Sequence, residues 1–156
     1  MRVLYRLTPA WLKVLAVFLA SRVVTTALLL HFAAHQPANA WTGASPGYFE
    51  FAKIWDGHWY FIIALVGYPS ELPLTDHGEV GESAWAFMPV YPALVRIVML
   101  TGLDFSIAAV VVSVVFAYLA ALMLFKLLAL RLPAETALFA VVLFCFGPLS
   151  PILQVA

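Results

Sequence analysis

What this chain has little of narrows its class before anything else does. Only 10% of its 156 residues are charged, against roughly a quarter in soluble domains, so most of its surface must be apolar or uncharged. Eight Lys and Arg cancel eight Asp and Glu to a formal net charge of zero. That leaves no basic field for nucleic acid, which is not an expected partner. There is one cysteine, Cys145. It cannot form an intramolecular disulfide, and in its apolar run it reads as a small packing residue. No glycine-rich phosphate loop occurs, so nothing points to a nucleotide site. Against these absences stands a hydrophobic fraction of 65%, the composition of a polytopic membrane protein.

The apolar residues fall into runs of membrane length. Residues 14–34, "VLAVFLASRVVTTALLLHFAA", are long enough to cross about 30 Å of hydrocarbon as a helix. Arg2, Arg6 and Lys13 precede them, which predicts a cytoplasmic N-terminus. The rival is a cleaved signal peptide ending at "ANA", 38–40, but the apolar run is too long for one and carries Arg22 near its centre. Three further spans are expected at 85–101, 105–125 and 134–153. The first contains Pro89, Pro92 and Arg96, so the alternative to a full crossing is a segment broken or re-entrant at its prolines. Alternation of the crossings would place Lys126 and Arg131 outside, against the positive-inside tendency. The last run ends at Ala156 in apolar sequence, so the chain is expected to be the N-terminal part of a longer protein. The predicted fold class is therefore all-α integral membrane, with about four transmembrane helices.

Between the first two spans, residues 35–84 turn polar. Glu50, Asp56, Glu71, Asp76, Glu79 and Glu82 face a single Lys or Arg, Lys53, as in a large extracytoplasmic loop. Within it, residues 48–66 read as one amphipathic helix lying at the membrane interface. Glu50, Lys53, Asp56, Gly57 and Tyr60 recur on one face, with Phe51, Trp55, Trp59 and Ile62 roughly opposite. Residues 69–83 have no apolar period and read as loop.

Few residues here have the chemistry of a site. Asp56 stands among Trp55, Trp59 and Tyr60, where a partly desolvated carboxylate can accept a proton. On a helix His58 points about 200° away from Asp56, so a dyad of the two would need an extended backbone. His58 with His77 and Asp76, or His31 with His35, lack a full set of metal-ligand spacings. No cofactor is expected, and metal dependence stays open. Arg22, beside Ser21, Thr25 and Thr26, and Arg96 are charges at membrane depth. Each costs at least about 2.5 to 3.5 kcal/mol there unless met. Each serves either a structural ion pair or a lipid phosphate.

Taken together, "WDGHWYFIIALVGYP" at 55–69, "FMPVYPALVR" at 87–96 and "FGPLSP" at 146–151 resemble the PIG-V-type mannosyltransferases in their bacterial, actinobacterial-like form. These belong to the GT-C class of integral membrane glycosyltransferases. The resemblance runs through Trp55, Asp56, Trp59, Tyr60, Ile63, Ala64, Gly67 and Tyr68. It implies a partial GT-C fold in a bacterial plasma membrane, with the active centre on the extracytoplasmic side. The implied reaction moves a mannosyl or related residue from a polyprenyl- or dolichyl-phosphate donor to a lipid or glycan acceptor. Asp56 is then the general base, and Trp55, Trp59, Tyr60, Arg22 and Arg96 are substrate-binding residues. The part present here is expected to be inactive alone. Two other classes compete: a fragment of a transporter or channel whose arginines line a polar path, and a non-catalytic membrane scaffold.

Overall fold

The computed structural model describes residues 8–155, so Arg2 and Arg6, on which the sidedness of the N-terminus partly rests, lie outside the described residues. Helices account for the regular structure: α1 Ala10–Ala34, α2 Tyr48–Phe51, α3 Asp56–Val66, α4 Val90–Met99, α5 Phe105–Ala129 and α6 Ala134–Phe146. Short 3-10 turns cover Ala84–Ala86 and Ser150–Gln154. Two of these helices, α1 and α5, are long and apolar enough to cross a membrane. At 25 residues each they are about 37 Å long. Only 33% of the apolar window of α1 and 28% of that of α5 is buried, so most of both apolar surfaces faces outward. A core helix of a soluble protein would be mostly covered; a lipid-facing one is not.

The other expected spans are shorter as helices. Residues 85–101 contain ten helical residues, α4, which rise only about 15 Å. Pro89 occupies the N-cap and Pro92 is buried in the first turn, where its missing N–H is harmless. Before Pro89 this run holds only a 3-10 turn, at Ala84–Ala86, and no single α-helix spans it. Residues 134–153 likewise divide into α6, thirteen residues, and the 3-10 turn, because Gly147 and Pro148 interrupt the α-helix.

The described residues form two compact units, one of residues 8–32 with 113–154 and one of residues 33–112 with Val155. In the first unit, α1 buries Val14, Phe18, Ser21, Arg22, Thr25 and Leu29, a stripe with the three-and-four spacing of one helix face. Its apolar half packs with Ala117, Ala121 and Phe125 of α5 and Ala137, Val141 and Cys145 of α6. The three alanines let the helix backbones approach closely, as small residues do in membrane bundles.

The polar half of that stripe is organised by Arg22, 7% exposed. Its Nη1 donates to the Ser150 carbonyl at 3.1 Å and its Nη2 to the Cys145 carbonyl at 3.2 Å and to Ser150 Oγ. Nε donates to Ser21 Oγ at 3.3 Å, and the guanidinium lies 4.9 Å from the Phe18 ring centroid. The Cys145 carbonyl belongs to the last turn of α6, where carbonyls lack intrahelical partners and the helix carries its negative end. Arg22 therefore caps a helix other than its own. Gln154 extends the seam, accepting from Thr25 Oγ1 and donating to Thr26 Oγ1.

In the second unit, α3 packs on α4 and the start of α5 through Ala64, Val95, Phe105, Ala108, Ala109 and Val112. Phe61 meets Phe105 edge-on at 5.2 Å, and Tyr60 meets Tyr91 at 4.9 Å. The loop after α3 has pinned ends. Tyr68 and Trp85 lie 4.5 Å apart, the Tyr68 hydroxyl donates to the Phe87 carbonyl at 2.7 Å, and Trp85 Nε1 donates to the Pro69 carbonyl at 3.0 Å. Its tip is a tight turn closed by a Leu74–Val80 bridge, with Gly78 at φ +77°.

Replacing Arg22 by Ala takes a donor from two buried carbonyls and two hydroxyls. Unfolding of the purified protein in nanodiscs should show a loss of about 2 to 4 kcal/mol. Arg22→Lys, which keeps the charge but not the fork of donors, should fall between. An Ala variant as stable as the wild type would remove Arg22 from its capping role.

Candidate functional site

The site grows from a break in the expected interfacial helix. Residues 48–66 do not form one helix; α2 ends at Phe51 and α3 begins at Asp56. Glu50, expected on the shared polar face, instead reaches back, its carboxylate accepting from the Gly47 N–H at 3.3 Å, as in half of a capping box. The break is a tight turn over Ile54–Gly57, with the Gly57 N–H donating to the Ile54 carbonyl at 3.3 Å. Trp55, its second residue, has φ +57° and ψ −118°, a conformation suited to glycine that costs a side-chain-bearing residue on the order of 1 to 3 kcal/mol. The turn makes Asp56 the first residue of α3, where the positive helix end suits a carboxylate. It also leaves Trp55 66% exposed.

Trp55 and Asp56 line a cavity of about 560 Å³, within the size range of small-ligand sites. Trp41, Trp59 and Phe87 complete its aromatic walls, and His58, Glu82 and Ser83 join Asp56 as its polar groups. Trp59 and Phe87 stack at 6.0 Å with 20° between their planes. Phe87 is steadied from behind by Tyr60, edge-on at 5.3 Å, and by the Tyr68 bond to its carbonyl. The "FMPVYP" motif thus supplies an aromatic wall through Phe87, and its prolines fix where α4 starts.

Of the residues singled out in the sequence, Trp55, Asp56 and Trp59 come together here. Tyr60 does not line the cavity; it sits between Phe87 and Tyr91 as a buttress. Its phenol is pushed above the ordinary tyrosine range, first by burial and then by the charges of Asp56 and Tyr68, so it stays a neutral donor beyond that range. Arg96 is exposed in the last turn of α4, about 9 Å along the helix axis from Val90, where a cation complements the helix dipole. Arg22 makes its bonds in the other unit. His58 corrects the expectation: it lines the same cavity as Asp56. Asp56 and His58 are the first and third residues of α3, and at an open helix end both can turn toward one space. Among the described residues no hydrogen bond joins them. Nor does any group of three His, Cys, Asp or Glu stand where it could hold a metal ion, among the described residues.

Trp41, Glu82 and Phe87 were missed as site residues. Trp41 lies 15 positions before Asp56 and Glu82 lies 26 after it, and no spacing joins residues that only a folded loop brings together. Their signal was compositional: tryptophans and carboxylates concentrated in one cation-poor segment.

No protein-family model, no curated protein and no solved structure matches the chain. Fold and site define a class: an all-helical protein with two membrane-length helices and an aromatic, acidic cavity.

Because Trp55 holds a glycine-like conformation while largely exposed, Trp55→Gly should raise the thermal midpoint in nanodiscs, by the equivalent of about 1 kcal/mol. A lower midpoint would mean that Trp55 is held by packing rather than strained.

Proposed function

We propose that this chain is part of an integral membrane glycosyltransferase that moves a mannosyl or related residue from a polyprenyl- or dolichyl-phosphate donor to an acceptor hydroxyl on the outer face. The observation that carries this reading is the carboxylate of Asp56, set at the start of a helix in a cavity walled by Trp41, Trp55, Trp59 and Phe87, with Glu82 as its second carboxylate. Aromatic faces suit the C–H faces of sugar rings, and a carboxylate, acting only as acceptor, suits their hydroxyls. The likeness of the 55–69 loop to PIG-V-type mannosyltransferases supports the lipid-phosphate donor. The two membrane-length helices support placement in a bilayer, where α4 and α6 would be completed by neighbouring segments in the four-span arrangement. The cation-poor loop supports an outward-facing site.

In this reaction Asp56 accepts the proton of the acceptor hydroxyl as its oxygen attacks the anomeric carbon. The bond from that carbon to the phosphate oxygen breaks, and the lipid phosphate leaves with the electron pair. One base suffices for a single displacement with inversion, and Glu82 is assigned no step in it. Trp55 and Trp59 hold the sugar and keep water from the reacting centre, and Tyr60 fixes Phe87 behind them. Arg22 is committed to the end of α6 and is not assigned to the phosphate.

The test is Asp56→Asn in the full-length protein, assayed in right-side-out vesicles with an acceptor that does not cross the bilayer. Positioned base catalysis is worth about 10² to 10⁴-fold, so transfer should fall by at least that lower bound while membrane insertion is unchanged. His58→Gln should retain most activity. Retention of more than about a tenth of the wild-type rate in Asp56→Asn, well inside the range expected of a lost base, would remove Asp56 from catalysis.

A further inference from the structure

A second cavity of about 710 Å³ adjoins the first. The two share Trp59, Glu82 and Ser83, so one indole and one carboxylate form a common wall. On its other side this cavity is bounded by Ile62 and Val66 of α3 and by Leu72, with Glu71 as a second carboxylate. Gly67, Tyr68 and Pro69 also line it. Tyr68 and Pro69 belong to the pinned base of the loop, so this edge is held by the Tyr68–Phe87 and Trp85–Pro69 hydrogen bonds.

A group transfer has two molecules to hold side by side, and two cavities meeting at Trp59 supply the places. Their charges are all of one sign. Asp56, Glu71 and Glu82 line them, and no Lys or Arg does among the described residues. An uncharged sugar gives its hydroxyl protons to such carboxylates. In the second cavity, an acceptor sugar carrying its own carboxylate meets the like charges of Glu71 and Glu82, the repulsive element by which sites reject close analogues. The apolar Ile62, Val66 and Leu72 add a surface for an alkyl or lipid aglycone.

We infer that the second cavity binds the acceptor, an uncharged glycoside with an apolar aglycone, and that Glu82 on the shared wall excludes acceptors bearing a negative charge on the sugar. This rests on the glycosyltransferase reading given above. The test is equilibrium binding of two probes, butyl β-D-glucopyranoside and butyl β-D-glucuronide, to the full-length protein in nanodiscs. The probes differ only in a hydroxymethyl group against a carboxylate. The glucoside should bind about fivefold more tightly, the effect of one exposed like-charge pair. In Glu82→Gln, with the same fold by circular dichroism, the gap should shrink to under about twofold.

Val66→Trp, at a residue 78% exposed that lines only the second cavity, should block glucoside binding. Ala86→Trp, which fills only the first, should not. Equal binding of the two probes would overturn the inference, as would a gap unchanged in Glu82→Gln. Blockage by Ala86→Trp instead of Val66→Trp, or no glucoside binding at all, would overturn it too. The Asp56→Asn assay reads the reaction and not the acceptor's charge, so the two ideas can fail separately.

Discussion

A guanidinium buried on a membrane-length helix must have its donors met, and the way Arg22 meets them orders the whole first unit. Its partners are the carbonyls of Cys145 and Ser150 and the hydroxyls of Ser21 and Ser150. Those carbonyls become available because Gly147 and Pro148 end α6 and start a 3-10 turn. A charge costly at membrane depth is thereby matched to a helix end that is costly to leave uncapped. Each group removes the other's penalty. The close packing of Ala117, Ala121 and Ala137 then sets α1 at the distance the fork of hydrogen bonds requires.

This commitment bears on chemistry. Arg22 gives its donors to carbonyls and hydroxyls at the end of α6, and the proposed reaction is placed instead in the second unit, where Asp56, Glu71 and Glu82 line the cavities. There the determining feature is backbone geometry at Trp55. A positive φ at a tryptophan ends one helical segment and starts another, and so presents Asp56 at a helix N-terminus beside the indoles of Trp41 and Trp59. Strain of this kind persists only where surrounding structure enforces it. Around the cavity the packing is aromatic: Tyr60 meets Phe87 and Tyr91 of α4 edge-on, and Tyr68 with Trp85 closes the loop that carries Glu82.

Much of this was legible from the residues. The apolar runs located α1 and α5 and fixed one end of each, at Ala34 and Phe105, though α1 starts four residues earlier and α5 ends four residues later than the runs; Ser21, Arg22, Thr25 and Thr26 marked the inward face of α1. Asp56 stood out as a carboxylate among tryptophans. What was hidden has physical reasons. The partners of Arg22 lie 123 and 128 residues away and are backbone carbonyls, which have no sequence signature. The break at Trp55 was unreadable because nothing in a tryptophan announces a left-handed backbone, so the helical period ran straight through it. The same error turned His58 away from the site, since the angular argument assumed a helix interior where the chain has a helix end. Glu82 and Trp41 join the cavity only through the loop's closure.

The central claim is that sugar chemistry takes place at the Asp56 cavity and not at the buried arginine. It is tested most directly by photocrosslinking the full-length protein with a mannosyl polyprenyl phosphate carrying a diazirine on the sugar, followed by peptide mapping. The account predicts crosslinks on the segments holding Trp41, Trp55, Trp59 and Phe87. Crosslinks concentrated on residues 145–154, around the partners of Arg22, would contradict it.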